Sequence, residues 1–507
     1  MSRSLFFTLA ALCALVFIAL TGTAAAKSVT PEDSRYGQLA DTPFPGGYPA
    51  DEDITRLKTE IFFQRAVQSY IWALPALNMR AMQEAKAEAF GPGCNIMPIW
   101  KDRMNSKTLI TTPNSDVIYA LNFLNLKSDG PMVVEVPPGI QGIVDDAFQR
   151  PVCSEGEING KIWCGDIGLP GPDQGKGGKY LLLPPDYKGS LPGEGYLTFR
   201  ARTYNVMLLW RAFFHDPAKL EEPVKALEQT RIYPLAQAGE PKAMEFPNAS
   251  QKSLDMLYPK DGKAFDMLAR IIAEEYADPQ DMEMRGMLAA IGIRQDKEFK
   301  PDAARRELLD KAAKTASKFG YVVSYTPQDI EDNGLWYKDR RWLNVFPGNA
   351  EFTAPTFNYI DPRTGFFTNA FTASPGMAVT MENVGAKYPA TFVDSQGKFL
   401  LGGNSYSVTL PKDIPAKLFW SLTVYDSLTA SLVDNGRPFA SINSMDRPIA
   451  AADGSTKVYF GPESPGKDKN WIRTVPGKGF FVILRLYGPE KAFFDQTWKP
   501  GDLEPVK

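Results

Sequence analysis

Two aspartates beside predicted strands are the residues of this sequence best placed for chemistry. Asp116 lies in the segment Thr-Pro-Asn-Ser-Asp-Val-Ile-Tyr, residues 112–119, just before an apolar run, and Asp166 lies in a loop rich in glycine and proline. Paired carboxylates can act as general acid and general base on a glycosidic or ester bond. We therefore predict that Asp116 and Asp166 are the catalytic residues of a hydrolase or lyase that acts on a polar polymer or a small conjugate.

Other polar and aromatic residues of the same loops and strands are predicted to bind the ligand. Arg200 and Arg202 alternate on one face of a predicted strand, where an arginine can stabilise developing negative charge. Aromatic side chains in the last quarter of the chain can line a face that binds a sugar or an aromatic ligand. The predicted binding residues are Asn114, Tyr119, Asp173, Arg200, Arg202, Trp420, Arg485 and Tyr487.

The same residue types leave other interpretations open. Carboxylates are hard oxygen ligands, so bound calcium is an alternative, although we predict no cofactor and no metal site. Aspartate and asparagine at turns commonly cap their own backbone, and Asp–Arg pairs are commonly structural. A non-enzymatic alternative is a periplasmic protein that binds a glycan or small-molecule ligand, or that assists envelope assembly. A homo-oligomer is compatible with each alternative.

Composition and spacing exclude several classes of chemistry. The chain has one histidine, His215, so a Ser-His-Asp or Cys-His mechanism would have to use it, and a histidine-rich metal site cannot be built. A phosphate-binding P-loop is excluded because Gly175-Lys176 is followed by glycine and no glycine stands five positions earlier. The formal net charge of −3 provides no electrostatic footprint for nucleic acid, which we do not predict as a partner.

The N-terminus has the order of regions that is typical of a secretory signal peptide. Arg3 precedes an apolar run over residues 5–20, and three alanines at residues 24–26 precede Lys27. We predict that residues 1–26 are the signal peptide and that the mature protein is periplasmic or secreted. No later segment has the length and apolarity of a membrane span, so we predict no stable membrane insertion after cleavage.

Export to an oxidising compartment changes how the cysteines are interpreted. Cys94, Cys153 and Cys164 remain after the predicted cleavage. Cys153 and Cys164 close a short loop, and we predict a disulfide between them. The spacing alone leaves open a pairing that involves Cys94.

The first half of the chain is predicted to form a helix followed by strands. Residues 27–50 are polar and rich in proline and glycine, which predicts a loose arm. Residues 51–215 are predicted to form an N-terminal helix, with breaks at Pro75 and residues 91–93, followed by a β-rich domain. The predicted strands are residues 117–126, 132–136, 140–148 and 180–183, with 196–202 and 204–214 as strand or as strand followed by helix.

The second half is predicted to change from helices to strands. Residues 216–350 form a helical block that begins at Asp216-Pro217, with helices at 218–229, 263–277, 279–290 and 303–319. Residues 351–507 form a C-terminal β-sandwich with short strands at 366–371, 388–392, 399–401, 406–410, 419–425, 457–460 and 479–487. The predicted fold class is therefore α+β and multidomain, with antiparallel, jelly-roll-like β-sandwich parts, an N-terminal helical segment and a helical block in the middle.

The chain resembles the bacterial two-part family catalogued as domain of unknown function 1254 followed by domain of unknown function 1214. The resemblance to the first domain lies in residues 112–119, 130–137 and 165–183, within residues 51–215. The resemblance to the second domain lies in residues 420–426, 433–435, 470–471 and 484–487, within residues 351–507. It implies β-sandwich parts with helical additions in a protein that is usually exported, and it implies no reaction and no catalytic residues.

Overall fold

The computed structural model describes residues 34–326, 334–378 and 381–506. The predicted signal peptide, residues 1–26, and the first part of the predicted loose arm lie outside the described residues. The chain divides into two units, Met1–Phe62 and Phe63–Lys507, which are described in turn.

The first unit contains two short helices and the start of a long one. Helix α1 spans Arg35–Ala40, a 3-10 turn spans Pro45–Gly47, and helix α2 spans Asp51–Phe90 and continues into the second unit. The Ser34 hydroxyl accepts hydrogen bonds from the first backbone N–H groups of α1, at 3.2 and 3.4 Å. This N-cap satisfies donors that a short helix leaves unpaired.

Helix α2 continues through Pro75, so the predicted break at this residue is wrong. Proline removes a backbone donor and crowds the preceding turn, which costs a helix about 3 kcal/mol. Side chains from distant parts of the chain donate to other carbonyls of the helix around Pro75. Gln149 Nε2 donates to the Pro75 carbonyl at 2.7 Å, and the Arg363 guanidinium donates to the Trp72 carbonyl at 3.3 Å. Burial of the surrounding turns and these bonds offset the local cost.

The N-terminal β-rich part is a sandwich of two sheets. One sheet has the strand order β2–β9–β4–β6 and is antiparallel, and the other has the order β10–β3–β7–β8–β5. Alternate residues of the two sheets form a shared core that includes Trp210, Tyr180 and Phe199. The strands are β1 Thr108–Leu109, β2 Ile118–Asn125, β3 Met132–Val136, β4 Gln141–Asp146, β5 Cys153–Ser154, β6 Asp166–Gly168, β7 Gly178–Leu183, β8 Leu197–Arg200, β9 Asn205–Ala212, β10 Arg231–Pro234 and β11 Leu254–Asp255.

Helices predominate in the middle of the chain, as predicted, but the first of them begins later than expected. The sequence predicts a helix start at Asp216-Pro217, whereas α4 begins at Glu221. Asp216 Oδ1 instead accepts a hydrogen bond from the Ala218 N–H at 3.0 Å, and such a local turn competes with helix. The helices after β2 are α3 Leu126–Asp129, α4 Glu221–Leu227, α5 Lys263–Glu274, α6 Met282–Ala290 and α7 Ala303–Tyr325.

The C-terminal part is a second sandwich. Its sheets have the orders β12–β19–β15–β16, with β13 also paired to β19, and β18–β17–β14–β20. Their facing residues form one apolar core that includes Trp420, Leu422 and Leu484. The elements are α8 Ile360–Asn369, α9 Pro375–Ala378, β12 Ala386–Lys387, β13 Ala390–Thr391, β14 Ser405–Leu410, β15 Ala416–Asp426, β16 Ser441–Asn443, β17 Thr456–Gly461, β18 Asn470–Arg473, β19 Phe480–Pro489, α10 Lys491–Phe494 and β20 Glu504–Val506.

Two strands predicted in this part are wrong. Residues 366–371 fall mostly in helix α8, where Thr364 and Thr368 donate hydrogen bonds to carbonyls four residues earlier and Phe366 packs on Phe346 with ring centroids 4.8 Å apart. Tertiary packing here overrides the strand propensity of the aromatic pair. Residues 399–401 form only isolated bridges.

The fold class is mixed α+β with several antiparallel sheets, an N-terminal helix and a helical block in the middle, as the sequence predicts. Within the described ranges, no helix is both long enough and apolar enough to cross a bilayer.

The predicted disulfide is confirmed. Cys153 and Cys164 are bonded, with Cα atoms 4.0 Å apart and a sequence separation of 11 residues. Cys94 is a free cysteine. The disulfide therefore ties β5 to the segment that leads directly into β6 and Asp166.

Replacing both disulfide cysteines, Cys153→Ser with Cys164→Ser, is expected to lower the free energy of unfolding by about 2–3 kcal/mol, because the unfolded chain loses a constraint. Urea unfolding under non-reducing conditions measures the change. Cys94→Ser is the matched control and is expected to leave the midpoint unchanged. A double variant as stable as the parent would contradict the expectation.

Candidate functional site

The candidate site is a cavity of about 140 Å³ between the outer faces of two sheets. Each sandwich uses one face of a sheet for its own core and turns the opposite face to the cavity. These faces belong to the β2–β9–β4–β6 sheet of the N-terminal sandwich and the β12–β19–β15–β16 sheet of the C-terminal sandwich. Because side chains alternate along a strand, one strand can serve both purposes.

The N-terminal sheet contributes a tyrosine and an arginine from neighbouring strands. Tyr119 on β2 lies directly opposite Arg211 on β9, and the next strand places Gln141 opposite Arg211. Leu209 lies two residues before Arg211, on the same face, and lines the cavity with Tyr119 and Arg211. The intervening Trp210 points into the sandwich core instead.

The C-terminal sheet also contributes a tyrosine and an arginine, both from strand β19. Phe481, Ile483 and Arg485 alternate along β19 and line the cavity. Tyr487 continues the same face, where it stacks on Phe419 with ring centroids 4.2 Å apart. Arg211 and Arg485 thus reach the cavity from two different sandwiches.

Both arginines are almost completely buried, with 5% of Arg211 and 3% of Arg485 exposed. Arg211 Nη1 donates to the Tyr388 hydroxyl at 3.5 Å, whereas its Nε has no hydrogen-bond partner among the described residues. Arg485 donates to the Thr423 hydroxyl at 3.1 Å and to the Thr112 carbonyl at 3.4 Å. Within the described part of the chain, neither guanidinium forms an ion pair with a carboxylate. A buried charge is usually paired with an opposite charge, so the two guanidinium groups leave room for an anionic partner in this cavity.

Burial favours loss of charge and by itself lowers the pKa of both arginines. The tyrosines around Arg211 together oppose burial, Tyr388 most strongly, and at Arg485 Tyr425 has the largest opposing effect, so the pKa of each guanidinium is raised above its ordinary value. Burial also raises the pKa of the Tyr119 hydroxyl. Both arginines therefore remain cationic, and the tyrosine keeps its proton and can donate a hydrogen bond.

The rest of the cavity wall is mainly apolar. Helix α8 and the segment of residues 343–347 also line the cavity. Two wall residues, Thr112 and Thr372, have φ angles of +40° and +56°, which β-branched residues rarely adopt. Such backbone outliers concentrate at functional sites. Apolar wall residues include Leu209, Phe346, Phe366, Phe371, Phe392 and Ile483.

The structure brings four of the predicted binding residues together around this cavity. Tyr119 and Arg485 line it. Asn114 donates from Nδ2 to the hydroxyl of Tyr487, and the Asn114 Oδ1 accepts from the backbone of Asp116 at 2.8 Å. Asn114 thereby joins the predicted catalytic loop to the C-terminal sheet.

The first predicted catalytic residue, Asp116, lies behind the cavity wall rather than among the lining residues. Its side chain is fully buried, and Oδ1 accepts from Asn443 Nδ2 at 2.8 Å and lies 3.6 Å from Arg103 Nη2. The Asp116 carboxylate also helps to keep Arg485 charged. These contacts hold Oδ1, whereas Oδ2 has no hydrogen-bond partner among the described residues.

The second predicted catalytic residue, Asp166, binds the segment that forms one edge of the cavity. Its Oδ2 accepts from the Gly376 N–H at 2.7 Å, and its Oδ1 has no partner among the described residues. Burial raises the pKa of Asp166 to about 6, against the hydrogen bond from Gly376 and the charge of Arg211. Asp145 lies in the same area, where burial raises its pKa to about 8 against a hydrogen bond from Thr372.

Three of the remaining predicted residues have structural contacts away from the cavity. Asp173 shapes its own loop by accepting from the N–H groups of residues 168 and 177, at 2.8 and 3.0 Å, and from the Tyr180 hydroxyl at 2.5 Å. Arg200 pairs with Glu155 at 2.6 Å on the surface. Trp420 is part of the C-terminal sandwich core.

The last predicted residue, Arg202, donates to Gln280 at 3.1 Å and lies 3.8 Å from Glu351, in a partly exposed position away from the lining residues. Within the described ranges, no group of three or more His, Cys, Asp and Glu side chains is arranged to hold a metal ion.

Sequence reasoning missed Arg211, Tyr388 and Asn369, all of which line the cavity. A signal for Arg211 exists in the sequence, because it is the one charged residue in the apolar strand Asn205–Ala212. A buried charge in a predicted inner strand indicates a functional site. Tyr388 and Asn369 have no comparable signal, since one lies between two short strands and the other ends a helix that the sequence does not predict.

The fold and the site define a protein with two sandwich domains that enclose a cavity with a buried cationic part. Comparison with family models assigns these domains: Protein of unknown function (DUF1254) matches residues 94–234, and Protein of unknown function (DUF1214) matches residues 385–491. The chain therefore contains both domains of unknown function, in the order that the sequence motifs predict. Arg211 lies in the first domain and Arg485 in the second. A comparison with curated proteins finds no match.

Two solved structures are similar to this chain. The VPA0106 protein from Vibrio parahaemolyticus has a TM-score of 0.51 and 18% identity, over 88% of this chain and 100% of that chain. An uncharacterised protein from Burkholderia cenocepacia has a TM-score of 0.37 and 12% identity, over 89% of this chain and 96% of that chain. At 18% identity, the first similarity indicates a shared fold alone.

The buried carboxyls make stability depend on pH. Asp145 and Asp166 keep their protons up to about pH 8 and about pH 6 when folded, against an ordinary pKa of 3.8. The folded chain therefore binds more protons than the unfolded chain, and the free energy of unfolding falls as pH rises through this window. From pH 6 towards pH 8 the Asp145 contribution is on the order of 1 kcal/mol per pH unit.

Asp145→Asn, which mimics the neutral acid, is expected to remove that part of the slope. Urea unfolding at several pH values between pH 6 and pH 8 measures it. Asp413→Asn, on an exposed turn, is the control for loss of one carboxylate. An unchanged slope in Asp145→Asn would show that another group accounts for the pH dependence.

Proposed function

We propose that this protein is exported and binds a small organic anion in the cavity between its two sandwich domains. The observation that supports this proposal is the pair of buried arginines, Arg211 and Arg485, without a carboxylate partner in the described part of the chain. A buried charge without a carboxylate in direct contact is costly, so a fold that keeps two such charges in one cavity gains from an anion that enters it. The planar guanidinium matches a carboxylate through two parallel hydrogen bonds.

The apolar wall supports a ligand with an apolar body rather than a sugar. Small-molecule sites are typically apolar cavities in which a few polar groups fix the orientation of the ligand. Here Tyr119 and Tyr388 stand beside Arg211 as further polar groups, and the wall otherwise consists mainly of phenylalanine and aliphatic side chains. A polyhydroxylated ligand would leave most of its hydroxyl groups unpaired against such a wall.

The positions of the predicted catalytic aspartates support binding more than turnover. Asp116 and Asp166 are held by protein donors, and neither is a cavity-lining residue. A general acid or base has to come within hydrogen-bond reach of the reacting atom. The hydrolase or lyase assignment stays a prediction, and loss of product formation in Asp116→Asn and Asp166→Asn would be its test.

Export is supported by two features of the chain. The first 26 residues have the pattern of a secretory signal peptide. The Cys153–Cys164 disulfide is of the kind that persists in oxidising compartments such as the periplasm. We propose a periplasmic or secreted location on these grounds, and fractionation of expressing cells tests it.

Arg211→Met and Arg485→Met are expected to weaken binding of organic acids by tenfold or more, because each removes a charge-assisted hydrogen bond of about 1.5–3 kcal/mol. Calorimetric titration with phenylpropanoate and with octanoate measures the loss. The uncharged phenylpropanol and octanol are expected to bind the parent protein weakly. Without ligand, both variants are expected to unfold at a higher temperature than the parent, because a buried unpaired charge has gone.

Arg200→Met is the matched control, since Arg200 is paired with Glu155 at the surface. It is expected to leave the affinity for both acids unchanged. If neither acid binds the parent protein, or if the two cavity variants bind the acids as tightly as the parent does, the proposed function is wrong.

A further inference from the structure

A second unsatisfied polar group lies in the same cavity, on the helical side. Asn369 is the last residue of α8, lines the cavity and is 6% exposed. Its Nδ2 donates to the hydroxyl of Ser324, but its Oδ1 has no hydrogen-bond partner among the described residues. A buried acceptor without a donor destabilises the fold, which is reason to look for the donor outside the chain.

The wall between the arginine side of the cavity and Asn369 is continuous and aromatic. Arg211 donates to the hydroxyl of Tyr388, whose ring centroid lies 6.4 Å from that of Phe346. Phe346 in turn packs on Phe366 with centroids 4.8 Å apart, and Phe366 stands one helical turn before Asn369. The cavity therefore has a cationic part and a neutral acceptor that are joined by apolar rings.

We propose that the ligand is a hydroxylated carboxylic acid with an apolar body, whose carboxylate binds Arg211 and Arg485 and whose hydroxyl donates to Asn369 Oδ1. This inference rests on the proposed function and names the ligand class of the same site. The apolar body lies along the aromatic wall. A hydroxyl fits this position well because it can donate to the Asn369 oxygen and can also accept from a neighbouring donor.

The arrangement also explains how the site would bind acids that lack the hydroxyl less tightly. A site built around a buried hydrogen-bonding group discriminates against the analogue without the partner, because the group of the protein is then left unpaired. The arginines select for negative charge, and Asn369 selects for the hydroxyl. Neither selection depends on the other.

The test compares phenylpropanoate with its meta- and para-hydroxylated forms, by calorimetric titration of the full-length mature protein. At least one hydroxylated acid is expected to bind about fivefold tighter than phenylpropanoate, the gain typical of one neutral hydrogen bond. In Asn369→Leu this preference is expected to disappear, while phenylpropanoate keeps its affinity. Retained phenylpropanoate binding also shows that the variant is folded.

Ser324→Ala is the matched control, because it removes the partner of the Asn369 amide and leaves the free acceptor in place. It is expected to keep the preference for the hydroxylated acid. Equal binding of all three acids by the parent protein would overturn this inference and leave the proposed function intact. A preference that persists in Asn369→Leu would overturn the role of Asn369. Failure of every acid to bind would remove the proposed function as well.

Discussion

The buried positive charges of Arg211 and Arg485 impose the constraint on which the rest of this cavity depends. Each guanidinium is held by neutral groups, a tyrosine hydroxyl for Arg211 and a threonine hydroxyl and a carbonyl for Arg485. Buried tyrosines that keep their protons supply dipoles rather than full negative charges. The charge is thereby tolerated without being neutralised, which is the state that a binding site for an anion requires.

The sandwich architecture makes this arrangement possible. The inner faces of the four sheets form two apolar cores, one in each sandwich. The outer faces of two sheets are then free to hold polar residues at alternate positions, as Trp210 and Arg211 illustrate on β9. A single change of register would exchange the two faces, so the strand pairing that stabilises the domains also places the arginines.

The edge of the cavity formed by the segment from Thr372 to Met377 is tied to the N-terminal sheet by buried carboxyls. Thr372 donates to Asp145, Gly376 donates to Asp166, and the Met377 sulfur lies 3.8 Å from Arg211. The conformation of the segment is thus fixed by groups whose charge depends on pH. Close packing adds to this, because a Cβ at Gly376 would lie 3.1 Å from the Asp166 carboxyl.

Much of the fold follows from local pattern. Alternation, turn residues and helical periodicity predict most strands and the middle helices, and the short cysteine spacing in a chain with a secretory pattern predicts the disulfide. The errors arise where long-range contacts replace local ones. Pro75 stays in a helix whose neighbouring turns are buried against the rest of the chain, and Phe366 lies in a helix because it packs against other aromatic rings.

The sequence by itself determined which domains the chain contains, their order and several of the residues around the site, such as Tyr119 and Arg485. It also contained Arg211 as an unexplained charge in an apolar strand. Only the tertiary structure decided that Arg211, Arg485 and Asn369 line one cavity and that Asp116 and Asp166 are not among its lining residues. The physical reason is that local sequence specifies the face of a strand on which a side chain lies, whereas convergence in a cavity depends on how two separately formed sandwiches pack against each other.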